Sequence, residues 1–135
     1  DEAIEQYEKA IRQKNPKGVV YYNLATLYAM KGDVGKARSN FRKVIEIDPS
    51  FYQAYNNLGY IMWFEEKYPE AEDLFKKAIS LKNNYLDAHY NLGVVFYVVG
   101  KYEKAREEFM FTEKLQKDYK ETADYLKKIK AKLGY

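Results

Sequence analysis

The sequence lacks cysteine and has a single histidine, which excludes disulfides, thiolate metal sites, cysteine nucleophiles and any metal site built from several histidines. Its longest apolar runs, 60–64 and 94–99, are far too short to span a bilayer, so we expect no membrane insertion. The net charge of +3 is too small to indicate nucleic acid by itself. A hydrophobic fraction of 47% beside 32% charged residues is nevertheless enough for a buried core.

The start of the chain shows no signal-peptide pattern, which favours a cytoplasmic protein. The chain opens with Asp1 rather than methionine, so an exported, anchored or longer full-length form stays open. We find no nucleophile–base pair and no phosphate loop, and we therefore expect neither an enzyme nor a cofactor.

Four residue markers recur at one constant interval along the chain. Leu24, Leu58 and Leu92 are evenly spaced, and each follows an asparagine and precedes alanine or glycine. An alanine and a phenylalanine recur in the same phase, at 37, 71 and 105 and at 41, 75 and 109. Self-similarity at a fixed period indicates a repeat architecture, in which each unit buries its core against its neighbours. We call the interval from Leu24 to Leu58 the repeat length.

Each unit contains two amphipathic helical patterns separated by a breaker such as Gly32-Asp33 or Gly100-Lys101. No segment alternates with period two, so we expect no strand. The pattern predicts helices over residues 2–14, 18–31, 35–47, 52–65, 69–82, 86–99, 102–116 and 120–133.

The units resemble tetratricopeptide (TPR) repeats, whose pattern unit two matches at Tyr55, Leu58, Gly59, Ala71 and Phe75. The resemblance covers the whole chain and implies an all-α fold, a right-handed α-α superhelix, or solenoid, of helix-turn-helix units. It divides this single domain into a partial repeat that supplies only its second helix, three full repeats and a C-terminal capping helix. The corresponding residues are 1–17, then 18–51, 52–85 and 86–119, then 120–135.

The first helix of each unit carries a second, largely apolar stripe beside its packing face. The resemblance implies that this stripe lines a concave groove. Among its eighteen positions only Asp87 is charged and six are aromatic, which is typical of a binding surface. The predicted peptide-binding groove consists of Tyr22, Asn23, Thr26, Met30, Asn56, Asn57, Tyr60, Trp63, Phe64, Tyr90, Asn91, Val94, Tyr97 and Val98.

Asn23, Asn57 and Asn91 form a ladder in this stripe, and their amides can donate to and accept from a peptide backbone. Asparagine is also common at this position in the family. Some relatives hold the acidic tails of heat-shock chaperones with groove lysines and arginines. The corresponding positions here lack cations, which argues against such tails and against RNA. We therefore predict a protein–protein interaction scaffold whose partner is an apolar or aromatic-rich peptide, or an amphipathic helix.

Two alternatives stay open. Residues Ala3, Ile4, Tyr7, Ala10 and Ile11 form an apolar helix face whose usual partner would precede the chain, so homo-oligomers could assemble through this edge. The chain could also be the substrate-recruiting arm of a larger enzyme, such as a protein glycosyltransferase. We interpret His89 as structural. The lysines of the last helix are read as a solvated surface, with a basic patch for anionic partners as the alternative.

Overall fold

The computed structural model describes residues 1–135, which form eight α-helices and no strand. The predicted all-α fold is confirmed, and all eight predicted helices are present with ends that differ by at most a few residues. None is both long and apolar enough to cross a membrane. The helices are α1 (Glu2–Ile11), α2 (Gly18–Met30), α3 (Val34–Ile47), α4 (Tyr52–Phe64), α5 (Tyr68–Leu81), α6 (Leu86–Val98), α7 (Tyr102–Leu115) and α8 (Thr122–Leu133).

Each helix packs mainly on its neighbours in the chain, as expected of a solenoid. The helices form three hairpins, in which α2, α4 and α6 are the first helices and α3, α5 and α7 the second helices. The hairpins turn at residues with left-handed backbone conformation, spaced by one repeat length: Gly32 (φ 82°), Glu66 (φ 60°) and Gly100 (φ 81°). In each turn, the backbone N–H of the residue after the left-handed one donates to the carbonyl oxygen of the residue five positions earlier. This hydrogen bond caps the first helix. The pairs are Asp33–Tyr28 at 2.9 Å, Lys67–Met62 at 2.8 Å and Lys101–Phe96 at 2.8 Å.

The two helices of a hairpin approach closely where a small residue faces a phenylalanine. A Cβ added to Gly59 would lie 2.8 Å from the ring of Phe75, and one added to Gly93 would lie 2.9 Å from Phe109. The rings of Phe75 and Phe109 are fully buried. The alanines at 37, 71 and 105 are likewise without exposed surface.

The N-terminal helix is largely used by the array itself. Ile4 is buried, and Tyr7 and Ile11 are half-buried against the core. The Tyr28 hydroxyl donates to the Glu8 carboxylate, and this bond, together with burial and the nearby carboxylates of Glu8 and Asp33, raises the pKa of Tyr28 to about 12. Homo-oligomer assembly through the N-terminal helix stays a prediction, which no contact described here supports.

His89, on α6, lies against α7 and the turn that precedes α6. Its Nδ1 is 2.6 Å from Glu108 Oε2, its Nε2 is 2.7 Å from the carbonyl oxygen of Asn83, and its ring packs against Phe111. Burial lowers the pKa of His89, but the bonds to Glu108 and Asn83 raise it by more, so the pKa lies above its ordinary value. Because both neighbours are acceptors, they favour the doubly protonated ring.

Replacing Gly59 with alanine should destabilise the protein, whereas replacing Gly35 with alanine should not. Gly35 lies in α3, where a new Cβ would approach only Asp33 Oδ1, at 3.9 Å. There the helix preference of alanine is worth up to about 1 kcal/mol. At Gly59 an overpacking cost of about 1–3 kcal/mol opposes that gain. In urea unfolding, Gly59→Ala should be less stable than Gly35→Ala by about 1–3 kcal/mol; equal stabilities would contradict the close contact.

The protonated His89 ring should make the free energy of unfolding depend on pH. Its folded pKa lies above the unfolded value of about 6.5. The stabilisation is therefore complete below that pH and is lost as the pH rises through the folded pKa. His89→Tyr provides a control that lacks this titration, because tyrosine occupies the equivalent positions 21 and 55. Urea unfolding between about pH 5.5 and 8.5 should show the wild type losing stability relative to His89→Tyr. A difference that does not change with pH would refute the assignment.

Candidate functional site

The first helices α2, α4 and α6 are apolar on two sides, and one of these sides is partly open to solvent. Leu24, Leu58 and Leu92 face the core. On the other side, Met30 and Phe64 are 80% and 66% exposed, and Tyr60 is 50% exposed. Contiguous exposed apolar patches commonly mark binding sites. We call this side of α2, α4 and α6 the groove face.

Three clefts on the groove face meet at Tyr60. The first, of about 230 Å³, lies between α4, α6 and α8. The second, of about 430 Å³, extends across α2, α4 and α6, and the third, of about 250 Å³, lies between α2, α3 and α4. Ten of the predicted groove residues line them: Thr26, Met30, Asn56, Asn57, Tyr60, Trp63, Phe64, Tyr90, Asn91 and Val94.

The other four predicted residues, Tyr22, Asn23, Tyr97 and Val98, lie outside these clefts. Tyr22 packs on the rings of Phe41 and Phe51. Tyr97 packs on Tyr102 and Tyr125, with ring centroids 5.5 and 5.1 Å apart. Val98 is exposed, whereas Tyr97 contributes to the junction of α6, α7 and α8.

The part of the groove face that belongs to α6 is covered more than the sequence predicted. Tyr90 is only 8% exposed, because Phe109, Tyr119 and Tyr125 surround its ring. Its hydroxyl donates to Glu121 Oε2 at 2.6 Å, and burial together with this bond raises the pKa of Tyr90. On α6, therefore, part of the stripe that is predicted to line the groove packs against α8 instead.

The asparagine ladder is partly engaged within the protein. Asn57 Nδ2 donates to the Tyr22 hydroxyl at 3.1 Å, and Asn91 Nδ2 donates to Asn56 Oδ1 at 3.0 Å. Each amide thus bonds to the repeat before its own. Asn56, which accepts this bond from Asn91, is itself buried, with 5% of its surface exposed. Each ladder amide keeps its oxygen and a second N–H that an extended peptide could use.

Lys120 and Glu121 also line the clefts, although the sequence did not predict them as groove residues. Lys120 lines two of the clefts, and its Nζ lies 3.5 Å from Asp87 Oδ1 and 5.1 Å from the centre of the Tyr90 ring. Both residues come from the turn before α8, where Lys120 has a left-handed backbone (φ 47°). Helical periodicity gives no signal for a turn residue. The groove therefore holds one cation among the cleft-lining residues, and this cation is already paired with Asp87.

The groove face is suited to bind apolar and aromatic side chains and to hydrogen bond a polypeptide backbone. Tyr60 and Trp63 present adjacent rings, with centroids 5.5 Å apart. Large aromatic side chains of this kind contribute much of the area and energy of protein interfaces.

Two family models match the chain. One, described as a tetratricopeptide repeat, matches residues 18–51, and one described as a TPR repeat matches residues 65–100. Together they cover slightly more than half of the chain.

Curated relatives match part of the chain. The Hsp70-Hsp90 organizing protein of Triticum aestivum is 38% identical over 68 residues, which are 50% of this chain and 12% of that protein. The photosystem I assembly protein Ycf3 of Cyanophora paradoxa is 35% identical over 63 residues, which are 44% of this chain and 36% of that protein. The chain thus spans well under half of the length of either relative.

Solved structures match nearly the whole chain. A crystal structure of MamA superposes with a TM-score of 0.89 and 24% identity, over 97% of this chain and 77% of that one. The first TPR of Spaghetti (RPAP3), bound to the HSP90 peptide SRMEEVD, superposes with a TM-score of 0.84 and 21% identity, over 90% and 97% of the two chains. At these identities the likeness shows the fold, an all-α superhelix.

The evenly spaced repeat markers, the repeated turn geometry, the two family models and the superposed solenoids all agree, and the chain belongs to the tetratricopeptide repeat family.

Proposed function

We propose that this chain binds a segment of another polypeptide on its groove face, as a protein–protein interaction scaffold. The observation that carries the proposal is the exposed apolar surface of Met30, Tyr60 and Phe64, with three clefts that meet at Tyr60. Clefts with apolar walls and a few polar groups are the usual form of a binding site.

A relative of the same fold supports the general mode of binding, since the first TPR of Spaghetti (RPAP3) is bound to a peptide. That peptide, SRMEEVD, is rich in carboxylates. In the groove described here Lys120 is the only cation among the residues that line the clefts, and Asp87 pairs with it. Carboxylates need cationic partners to offset the cost of losing their hydration. The chemistry therefore favours an apolar or aromatic-rich peptide, or the apolar face of an amphipathic helix.

Binding should depend on the exposed aromatic residues of α4. Peptides would be selected from a displayed random library on the wild-type protein, then synthesised and measured by fluorescence anisotropy. In the variant Tyr60→Ser/Phe64→Ser, affinity should fall about tenfold or more, because each aromatic buries on the order of 150–250 Å² in an interface. Both side chains are at least half exposed, so the fold should be retained. Selected sequences should be enriched in apolar and aromatic residues.

The matched control is Ile47→Ser/Leu115→Ser, which removes two apolar side chains that are each 41% exposed and lie outside the groove. Its affinity should equal that of the wild type. If the α4 variant keeps full affinity, or if the control loses as much, the groove is not the binding site. Tyr97 is unsuitable for this experiment, since its ring packs on α7 and α8.

A further inference from the structure

The last helix, α8, follows the register of the first helices. It ends at Gly134, which has φ 82° and lies one repeat length after Gly100. The N–H of Tyr135 donates to the carbonyl of Lys130 at 3.2 Å, the same closure that ends α2, α4 and α6. In the hairpins, this closure leads to a second helix. Four α8 residues occupy the positions of the packing face of α4 (Tyr55, Leu58, Gly59 and Met62): Ala123, Leu126, Lys127 and Lys130.

This face of α8 is uncovered within residues 1–135. In the hairpin of α4 and α5, the equivalent face is covered by α5, and Phe75 packs on Gly59. On α8, Leu126 is half-buried, while Lys127 and Lys130 are less enclosed than the residues they replace on α4. The apolar residue Ile129 points elsewhere and is fully buried in the core.

A cleft of about 390 Å³ opens between α7 and α8 on the same side. Met110 and Leu126 supply apolar surface, and Met110 is 51% exposed. Arg106 and Lys130 add two cations to its lining. The Arg106 guanidinium lies over the ring of Tyr135, 5.3 Å from its centre, and 3.8 Å from Glu103 Oε2.

The net charge of the protein is concentrated in this helix. Residues 122–135 contain four lysines and one aspartate, a net charge of +3 that equals that of the whole chain. None of these four lysines forms an ion pair, whereas seven of the fifteen lysines before α8 do. Unpaired positive charge beside an apolar cleft is complementary to a segment that combines apolar and acidic residues.

We propose that this face binds an acidic amphipathic helix of a partner protein, in the position that a second helix takes in the three hairpins. The apolar residues of the partner helix fill the cleft against Met110 and Leu126, and its carboxylates pair with Lys127 and Lys130. A lysine at position 127, where the hairpins have glycine or alanine, prevents the packing of phenylalanine seen on Gly59. The partner helix therefore carries acidic residues where α3, α5 and α7 carry phenylalanine.

A polypeptide fits this surface better than a membrane or a nucleic acid. The apolar side of α8, with Ile129, is buried and therefore cannot insert into a bilayer. The Tyr135 ring, which could stack on a base, has the guanidinium of Arg106 on it. The cleft has room for apolar side chains.

The test uses the full chain and a labelled, N-acetylated helical peptide of about 17 residues, with leucine on one face and glutamate along both flanks. Fluorescence anisotropy should show saturable binding that is at least about tenfold weaker for Lys127→Glu/Lys130→Glu and weaker for Met110→Ser. In NMR spectra of the protein, the backbone amide chemical shifts that change on peptide addition should be concentrated at residues 106–110 and 123–130 rather than on the groove face. This test uses a designed peptide and not the peptides selected for the groove, so its result is independent of whether the groove face binds a polypeptide.

Matched controls separate a specific site from general charge attraction. Lys14→Glu/Lys77→Glu changes the net charge equally at exposed lysines without ion pairs and should bind as the wild type does. Peptides with glutamine for glutamate, or with alanine for leucine, should bind at least about tenfold more weakly. Sedimentation equilibrium of the protein alone should give the mass of a monomer, as expected if this face does not bind a second copy of the chain.

Several results would overturn the proposal. Equal loss of binding in the Lys14 and Lys77 control, or equal binding of the glutamine peptide, would show that no specific acidic helix is recognised. Binding of heparin or of anionic phosphatidylglycerol vesicles with the same dependence on Lys127 and Lys130, and no weaker than that of the peptide, would assign the surface to polyanions. A dimer that Lys127→Glu/Lys130→Glu dissociates would assign the face to a second copy of the chain.

Discussion

The contact between a small residue on the first helix and a phenylalanine on the second determines the rest of the structure. At Gly59 the ring of Phe75 leaves no room for a Cβ, and the same arrangement recurs between Gly93 and Phe109. Such a close approach fixes how each hairpin packs, and the left-handed turn residue fixes where the second helix begins. A small residue at this position (Ala25, Gly59 or Gly93) and a left-handed turn residue recur in every repeat. The hairpins therefore stack in one direction, and the same side of every first helix faces away from the second helix of its hairpin.

The groove face follows from this packing. A helix that buries one stripe against its second helix keeps its other stripe for a neighbouring repeat or for solvent. In α2 and α4 that stripe is partly open, which leaves Met30, Tyr60 and Phe64 exposed. In α6 the stripe is covered by α8 and the turn before it, through the rings around Tyr90 and the bond to Glu121. The groove is therefore more open toward the N-terminal half than its uniform sequence pattern suggests.

The last helix has two different surfaces as a result. One side continues the packing of the array, with Ile129 fully buried. The other side has the register of a packing face but carries Lys127 and Lys130 in place of small and apolar residues. Positive charge there keeps the surface hydrated when nothing covers it, and it also selects acidic partners over the phenylalanine-bearing helices of the chain itself.

The sequence by itself determined the helices, the hairpins, the repeat length and the residues of each packing face, because these depend on local periodicity, turn residues and residue size. Ten of the fourteen residues predicted for the groove line the clefts of the structure, and their role in binding stays a prediction. The sequence did not predict that Tyr97 and Tyr90 would pack against α8, that Asn57 and Asn91 would bond to the preceding repeat, or that Lys120 and Glu121 would enter the groove. Those contacts join residues that are distant in sequence and belong to different elements. Only the tertiary structure decided them, since helical periodicity specifies which side of a helix a residue lies on and not which other element reaches it.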